Sequence, residues 1–397
     1  MASVYESLGL RPVINASGTL TRLGGSRMAP ETLAAMAEAA ASFVPIDELQ
    51  TRAGEVIAAI TGAEAGYVVA GAAAGLSLAT AACVAGMDVA AMDRLPDTTG
   101  MKNEIVVQRG HRNAYDHAIR AAGVRFVEVG YLGFPGAGGT QPWQIADAIT
   151  ERTAAVACPV LDTPGTVPLP LVCAIAHAHG VPVIVDAAAE LPPRSNLRRF
   201  LAEGADLVVF SGGKAIAGPQ ASGILAGRAD LIVSVALQHQ DMDVRPATWT
   251  RRDLIAGGAV AGVPNQGFGR AMKVGREEIV GLVVALRRFA AGSDEADFAR
   301  WSALLDAIEA TLRDATGIRL SRFANRGGGV PLLAIDLAGD DPPAAADAAV
   351  NALLAGEPRV AVGESHAERG RLTVSPQSLT DDEAEIVAGR LRTVLEG

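Results

Sequence analysis

Between about residue 61 and residue 227 the chain repeats one phrase: a short apolar run, a glycine-containing turn, then an Ala/Leu-rich stretch of helical period. A sheet covered by helices on both faces buries such runs without polar alternation. The phrase therefore predicts an α/β fold whose major domain has three layers, α/β/α, around a mostly parallel sheet. The predicted strands are 66–70, 104–108, 124–129, 154–158, 181–185, 205–210 and 223–226, with helices at 72–85, 113–122 and 169–179. Right-handed crossovers bring the ends of such strands to one edge of the sheet, where open α/β folds hold their ligands.

A chain of 397 residues, 49% of them apolar, is long enough for two or more folding units. The glycine-rich stretch 257–269, with Pro264 inside it, is a poor helix and a plausible bend, and 273–290 then resumes a helical period. This predicts a large domain over 61–269 and a smaller C-terminal α+β domain over 270–397, with strands at 329–336 and 371–375 and helices at 342–354 and 381–395. Residues 1–60 read as an N-terminal arm with helices at 30–41 and 50–61 and a largely irregular stretch at 12–26, suited to lie over an active site of its own or of a partner subunit.

The charge balance, 34 basic against 44 acidic residues, gives a net of -10 that repels a phosphate backbone, and Arg251-Arg252 and Arg287-Arg288 are isolated pairs. No nucleic-acid partner is expected. Cys83, Cys158 and Cys173 are too few and too scattered for a disulfide framework or a zinc site, which points to a reducing cytoplasm. The start MASVYESLGLRP lacks a basic flank followed by an apolar run, and apolar stretches elsewhere are interrupted, so neither secretion nor membrane association is expected. His177 and His179, two apart in a helix, diverge rather than pair on a metal, and no zinc-protease, calcium-loop or serine-hydrolase motif occurs.

Four positions at predicted strand ends carry chemistry. In VVFSGGKAIAGPQASG (208–223) a buried strand runs into Ser211-Gly212-Gly213, and Lys214 emerges at its carboxyl edge, where desolvation frees the amine for imine formation and proton transfer. Ser211 can donate its hydroxyl to a phosphate. Asp186, directly after the apolar run 181–185, can pair with a pyridine nitrogen and keep it protonated. Gly71, Ala72 and Ala73 open a helix after a strand, and their amides suit an anion. His111, after strand and glycine in QRGHRN, is placed to stack on a ring, and His117 lies farther along and need not share the site. Three of them have a plain alternative: a surface-loop lysine, a helix-capping or magnesium-binding aspartate, and small residues that only let a helix pack closely.

At these residues the chain resembles the fold-type-I pyridoxal-phosphate enzymes, with their aspartate-aminotransferase-like fold. In particular it resembles the family that groups L-seryl-tRNA(Sec) selenium transferase with D-glucosaminate-6-phosphate ammonia-lyase. The matching stretches are RPVINASGTLTRLGGS (11–26), TGAEAGYVVAGAAAGLSLATAAC (61–83), QRGHRNAYDHAIRAAG (108–123), VIVDAAAELPP (183–193), SGGKAIAGPQASGILAGR (211–228) and MKVGREEIVGL (272–282). The resemblance implies pyridoxal 5'-phosphate as cofactor, with a Schiff base at Lys214, a ring-nitrogen contact from Asp186, stacking by His111, and phosphate binding by Gly71, Ala72, Ala73 and Ser211. NASGT, QRGHRN and SGGKAIAGPQ favour the ammonia-lyase branch, while Ala271 and Arg359 depart from the pattern.

The resemblance implies that these groups eliminate water and then ammonia from a 2-amino-3-hydroxy acid, for example an aminosugar acid such as D-glucosaminate 6-phosphate, leaving a 2-keto-3-deoxy acid. Arg371 is the candidate for the substrate carboxylate, and Arg270, Lys273 and Arg22 compete for a distal acidic group. Racemisation, aldol cleavage and selenium- or sulfur-transferring β-replacement use the same cofactor and remain open, and a non-catalytic homologue is the reading from another class. The fold family also implies a homodimer or a higher homo-oligomer.

Overall fold

The computed structural model describes residues 4–132, 139–161, 163–241, 243–325 and 329–396. Residues 1–3 of the expected arm and residue 397 of the expected C-terminal domain lie outside them. Among the described residues twelve strands occur in chain order: β1 (Val13–Ala16), β2 (Ala65–Val69), β3 (Glu104–Gln108), β4 (Arg125–Val129), β5 (Thr153–Pro159), β6 (Val183–Asp186), β7 (Leu207–Ser211), β8 (Gly223–Gly227), β9 (Ile318–Ala324), β10 (Pro331–Leu337), β11 (Arg359–His366) and β12 (Arg371–Val374).

The chain divides into a larger unit, residues 28–290, and a smaller one formed by residues 1–27 and 291–397. In the larger unit a seven-stranded sheet has the order β2-β8-β7-β6-β5-β3-β4. All its neighbours are parallel except β8, which runs against both β2 and β7. Successive side chains point to opposite faces, and here both faces are buried. Val68, Val106, Val156, Val208 and Phe210 enter one core, while Tyr67, Val69, Ile105, Leu207 and Val209 enter the other. This is why the strands read as unbroken apolar runs. The helix Ala72–Ala85 is equally apolar around its circumference, and it packs so closely on the sheet that a Cβ at Gly75 would sit 2.9 Å from Val209.

The boundaries found by contact differ from 60 and 269. The helix Ile46–Thr61 belongs with the large sheet because Gln50 binds the Val68 backbone through both ends of its amide, at 2.9 and 3.1 Å. The helix Arg276–Ala291 puts Ile279, Leu282 and Leu286 into the same core as Val208 and Phe210. In the smaller unit a five-stranded sheet has the order β1-β11-β12-β10-β9, with only β1 and β11 parallel. Its core gathers Leu305 and Ile308 from the helix Asp294–Leu312 with Leu333, Ile335, Val360 and Leu391. Residues 13–16, expected to be irregular, are therefore a strand of this sheet.

Phe210 is 1% exposed and packs on Phe200 with ring centroids 6.2 Å apart. Replacing Phe210 with Ala should cost about 3–5 kcal/mol, read as a lower urea midpoint for the unfolding step of the larger unit.

Candidate active site

β8 fixes the geometry of the sheet edge. Its first residue, Gly223, is paired with Val69 on one side and Ser211 on the other, the last residues of β2 and β7. Two strand spacings set Val69 and Ser211 about 10 Å apart. A Cβ on Gly223 would lie 2.8 Å from the Gly71 carbonyl carbon and 3.0 Å from the Ala72 nitrogen, so only glycine lets the turn after β2 settle here. Asp186 ends β6 and pairs with Val209 of β7, which places its carboxylate beside the strand that leads to Lys214.

Beyond Ser211 the chain turns tightly. Gly212 donates to the Ser222 carbonyl at 2.9 Å, Gly218 donates back to the Gly212 carbonyl at 2.9 Å, and Ala217 donates to the Lys214 carbonyl at 2.9 Å. Ala217 takes φ 56°, left-handed backbone that costs an L-residue roughly 1–2 kcal/mol, so the surrounding contacts dictate the loop. Lys214 is half-buried. Burial lowers its pKa below 10.5, and the nearby carboxylates of Asp186 and Glu190 oppose that without cancelling it. The outcome is an amine that loses its proton more readily than an ordinary lysine. Asp186 is itself held by the Ala188 amide, which donates to Oδ1 at 3.0 Å. Glu190, 7% exposed, is a functional candidate that strand-end reasoning missed, since it lies in the turn after β6 and only its burial beside Lys214 marks it.

The helix Ala72–Ala85 begins at Gly71 (φ 93°) with no side-chain cap, and a Cβ at Gly71 would meet nothing within 4 Å. Its first amides thus face open space at the positive end of a long helix, a ready anion site. Ala73 and Ala74 share a recess with Ala114, Tyr115 and Met272, and Ser77 donates to the Ala118 carbonyl at 2.6 Å. The segment after β3 is thereby drawn to the same place. His111 is buried there, with Gly110 pinned by the Thr163 hydroxyl at 3.0 Å.

A depressed lysine, a carboxylate one strand away, an uncapped helix start and a buried imidazole on one sheet edge fit pyridoxal phosphate. Lys214 would hold its aldehyde carbon, Asp186 its ring nitrogen, His111 its ring face, and residues 71–73 with Ser211 its phosphate. Arg270 and Lys273 lie in the larger unit, where Arg270 pairs with Asp241 at 3.2 Å. Arg371 and Arg22 belong to the smaller unit, where Arg371 is held by both Asp336 oxygens, at 2.5 and 3.0 Å, and Arg22 by Glu364 at 2.7 Å. His177 is taken by Asp206 at 2.8 Å. Burial pushes the thiols of Cys83, Cys158 and Cys173 up to about 12, which leaves them poor nucleophiles.

Two outcomes follow for the cofactor-free protein. Glu190→Gln removes one of the charges that favour the ammonium, so Lys214 should titrate at a lower pH than in wild type, read from the pH dependence of its acylation rate. Because the folded-state pKa of Lys214 lies below its unfolded value, the unfolded chain binds more protons between the two. Wild-type stability should rise relative to Lys214→Met as pH climbs toward 10.5, and equal slopes in urea melts would contradict the burial argument.

The family model described as Aminotransferase class-V matches residues 80–240. A 5'-C-glycyluridine monooxygenase-decarboxylase from Streptomyces sp is 35% identical over 98% of this chain and 92% of its own. D-glucosaminate-6-phosphate ammonia lyase from Salmonella typhimurium is 33% identical over 99% and 98%. A solved structure of D-glucosaminate-6-phosphate ammonia-lyase superposes with a TM-score of 0.81 at 32% identity, covering 100% of this chain and 99% of that one. The chain belongs to the fold-type-I pyridoxal-phosphate family that groups D-glucosaminate-6-phosphate ammonia-lyase with the selenium transferases, and its cofactor is pyridoxal 5'-phosphate.

Proposed function

We propose that the protein is an ammonia-lyase that removes water and then ammonia from a 2-amino-3-hydroxy acid of the aminosugar-acid class, leaving a 2-keto-3-deoxy acid. The observation that carries this reading is the half-buried Lys214 amine with Asp186 beside it, in a chain matching the ammonia-lyase of Salmonella typhimurium over 99% of its length. Bound at this edge, pyridoxal phosphate supplies an electron sink for the charge left when a bond to the substrate's α-carbon breaks.

The protein's own groups divide the remaining work. Burial keeps a fraction of Lys214 neutral, so its amine can take the α-proton. Asp186 holds the proton on the ring nitrogen, which its position at the end of β6 allows. The 3-hydroxyl leaves as water once it gains a proton, which Lys214, now charged, can supply. The released enamine takes a proton at its β-carbon to become an imine, and water then hydrolyses the C=N bond, giving ammonia and the 2-keto-3-deoxy acid. His111 restricts the ring plane and helps exclude solvent, since it is 4% exposed.

A second reading has its own support, because the glycyluridine enzyme is 35% identical over 98% of the chain, and its name describes oxygenation with loss of a carboxyl group. The two differ in product. A panel of D- and L-hydroxyamino acids, aminosugar acids and glycyl nucleosides, scored for ammonia with keto acid and for carbon dioxide with oxygen uptake, separates them. Lys214→Ala should lose the visible absorbance of the loaded enzyme and at least about 10³-fold in kcat. A wild type that stays colourless after incubation with the cofactor would end both readings.

The proposal includes a homo-oligomer in the cytoplasm. Phe43, 94% exposed, precedes exposed Val44 and Ile46, an apolar edge suited to a second copy. No helix among the described residues is long and apolar enough to cross a membrane. Light scattering after gel filtration should give a mass at least twice 40.6 kDa.

A further inference from the structure

Backbone pairing identifies the amides left open at the start of the helix Ala72–Ala85. Gly71 donates to the Val69 carbonyl at 2.9 Å, and Gly75 donates to the Gly71 carbonyl at 3.1 Å. Between them, Ala72, Ala73 and Ala74 carry the amides that the helix itself cannot use. Gly71 thus contributes room and the three alanines the donors. The second and third of these alanines line a recess together with Met272, which arrives from the short helix Phe268–Met272, far along the chain.

Two constraints hold Met272 there. The first is steric: a Cβ at Gly269 would lie 2.4 Å from Leu78 of the helix Ala72–Ala85 and 3.1 Å from the Cα of His239, which ends the helix Ala229–His239. The second is a buried relay. His239 Nε2 is 2.9 Å from the Met272 carbonyl, which can only accept, so in the neutral ring Nε2 carries the proton and Nδ1 is an acceptor. The Tyr67 hydroxyl, 2.9 Å away, therefore donates to Nδ1. Burial lowers the His239 pKa and outweighs the Met272 carbonyl, which favours the charged ring; Arg270 adds to the lowering. Burial also raises the Tyr67 pKa and keeps the phenol protonated.

Tyr67 belongs to β2, the strand that runs into Gly71, and its neighbour Val68 is held by Gln50 through both backbone groups. The relay therefore ties the strand beneath the open amides to the residue that walls their recess. Met272 packs on the apolar cluster of Leu76, Leu78 and Ala79, so the wall it offers is apolar. Amides shielded from water on one side hold an anion more strongly than amides that solvent reaches freely. We propose that Tyr67 and His239 are positioning residues for the phosphate of the cofactor, acting through Met272, which they hold beside the amides of Ala73 and Ala74. This role concerns the cofactor and not the bond that is broken, so it stands whichever reaction the site performs.

Pyridoxal, which lacks the phosphate, is the control. Cofactor-free protein is titrated with pyridoxal phosphate and with pyridoxal, followed by absorbance. Both present the aldehyde that Lys214 takes, so the ratio of their dissociation constants isolates the phosphate. Tyr67→Phe and Met272→Ala should each cut the preference for pyridoxal phosphate about five- to tenfold, the scale of one buried hydrogen bond, and change pyridoxal affinity by less than about twofold. His239→Gln can still donate to the Met272 carbonyl and accept from Tyr67, and Met272→Leu keeps an apolar wall, so both should stay within about threefold of wild type. The phosphorus resonance of the bound cofactor should shift in Tyr67→Phe toward that of free cofactor. A preference unchanged in Tyr67→Phe or in Met272→Ala overturns the proposal, as does equal weakening of both compounds, the result of a merely loosened fold. If His239→Gln does not fold, Tyr67→Phe, which removes a single oxygen, decides with Met272→Ala.

Discussion

The reversed strand β8 makes one site out of two distant pieces of chain. Gly223 lies between the ends of β2 and β7, so the helix start at Gly71 and the turn that carries Lys214 share one backbone neighbour. The contact is backbone on backbone, and a Cβ at Gly223 would already be too close to Gly71. Such an arrangement locates an uncapped helix start beside an amine by backbone contact alone, which keeps the entropic cost of organising that edge low. The sign of the Lys214 shift follows from the same placement. Two carboxylates favour its ammonium form, yet the strands and helices packed around the loop remove enough water for desolvation to prevail.

The larger sheet was legible because strands buried on both faces leave unbroken apolar runs: β3 was placed at its observed ends, and β2, β5 and β7 to within two residues. The smaller sheet was legible only in part. β9 is a one-sided edge strand with Arg319, Ser321 and Arg322 along it, so no apolar run announces it. β1 is four residues long, contains Asn15, and is a strand only because β11 lies beside it. The helix Asp294–Leu312 did carry a start signal, since Ser293 caps Ala296 and acidic residues fill the first turn. Residues 28–60 were read as an arm because Gln50, a polar residue in a helix, gives no hint that it completes the backbone pairing of β2.

Lys214, Asp186 and His111 stand out in the sequence as candidates because each lies at the end of a strand or within three residues of it, and position on the edge is what the sequence encodes. Glu190 does not, because a glutamate in a proline-rich turn looks solvated until the fold buries it. Tyr67 and His239 were hidden for a different reason. They are 172 residues apart in sequence, and their roles as donor and acceptor follow only from the Met272 carbonyl on the far side of the ring.

Two relatives of nearly equal identity carry names for different reactions, so overall similarity does not by itself select the outcome. In the proposed reaction Lys214 and Asp186 make the α-carbon labile. Which bond is then broken depends on which one stands perpendicular to the ring plane, and neither residue controls that rotation. A contact far from the α-carbon can, because anchoring the distal end of the substrate fixes the torsion about the bond between the α-carbon and its side chain. Remote binding energy is then spent on orientation instead of tighter ground-state binding. In this chain the backbone beside the recess over Ala73 and Ala74 is fixed by buried hydrogen bonds, the Tyr67 hydroxyl donating to His239 Nδ1 and His239 Nε2 to the Met272 carbonyl.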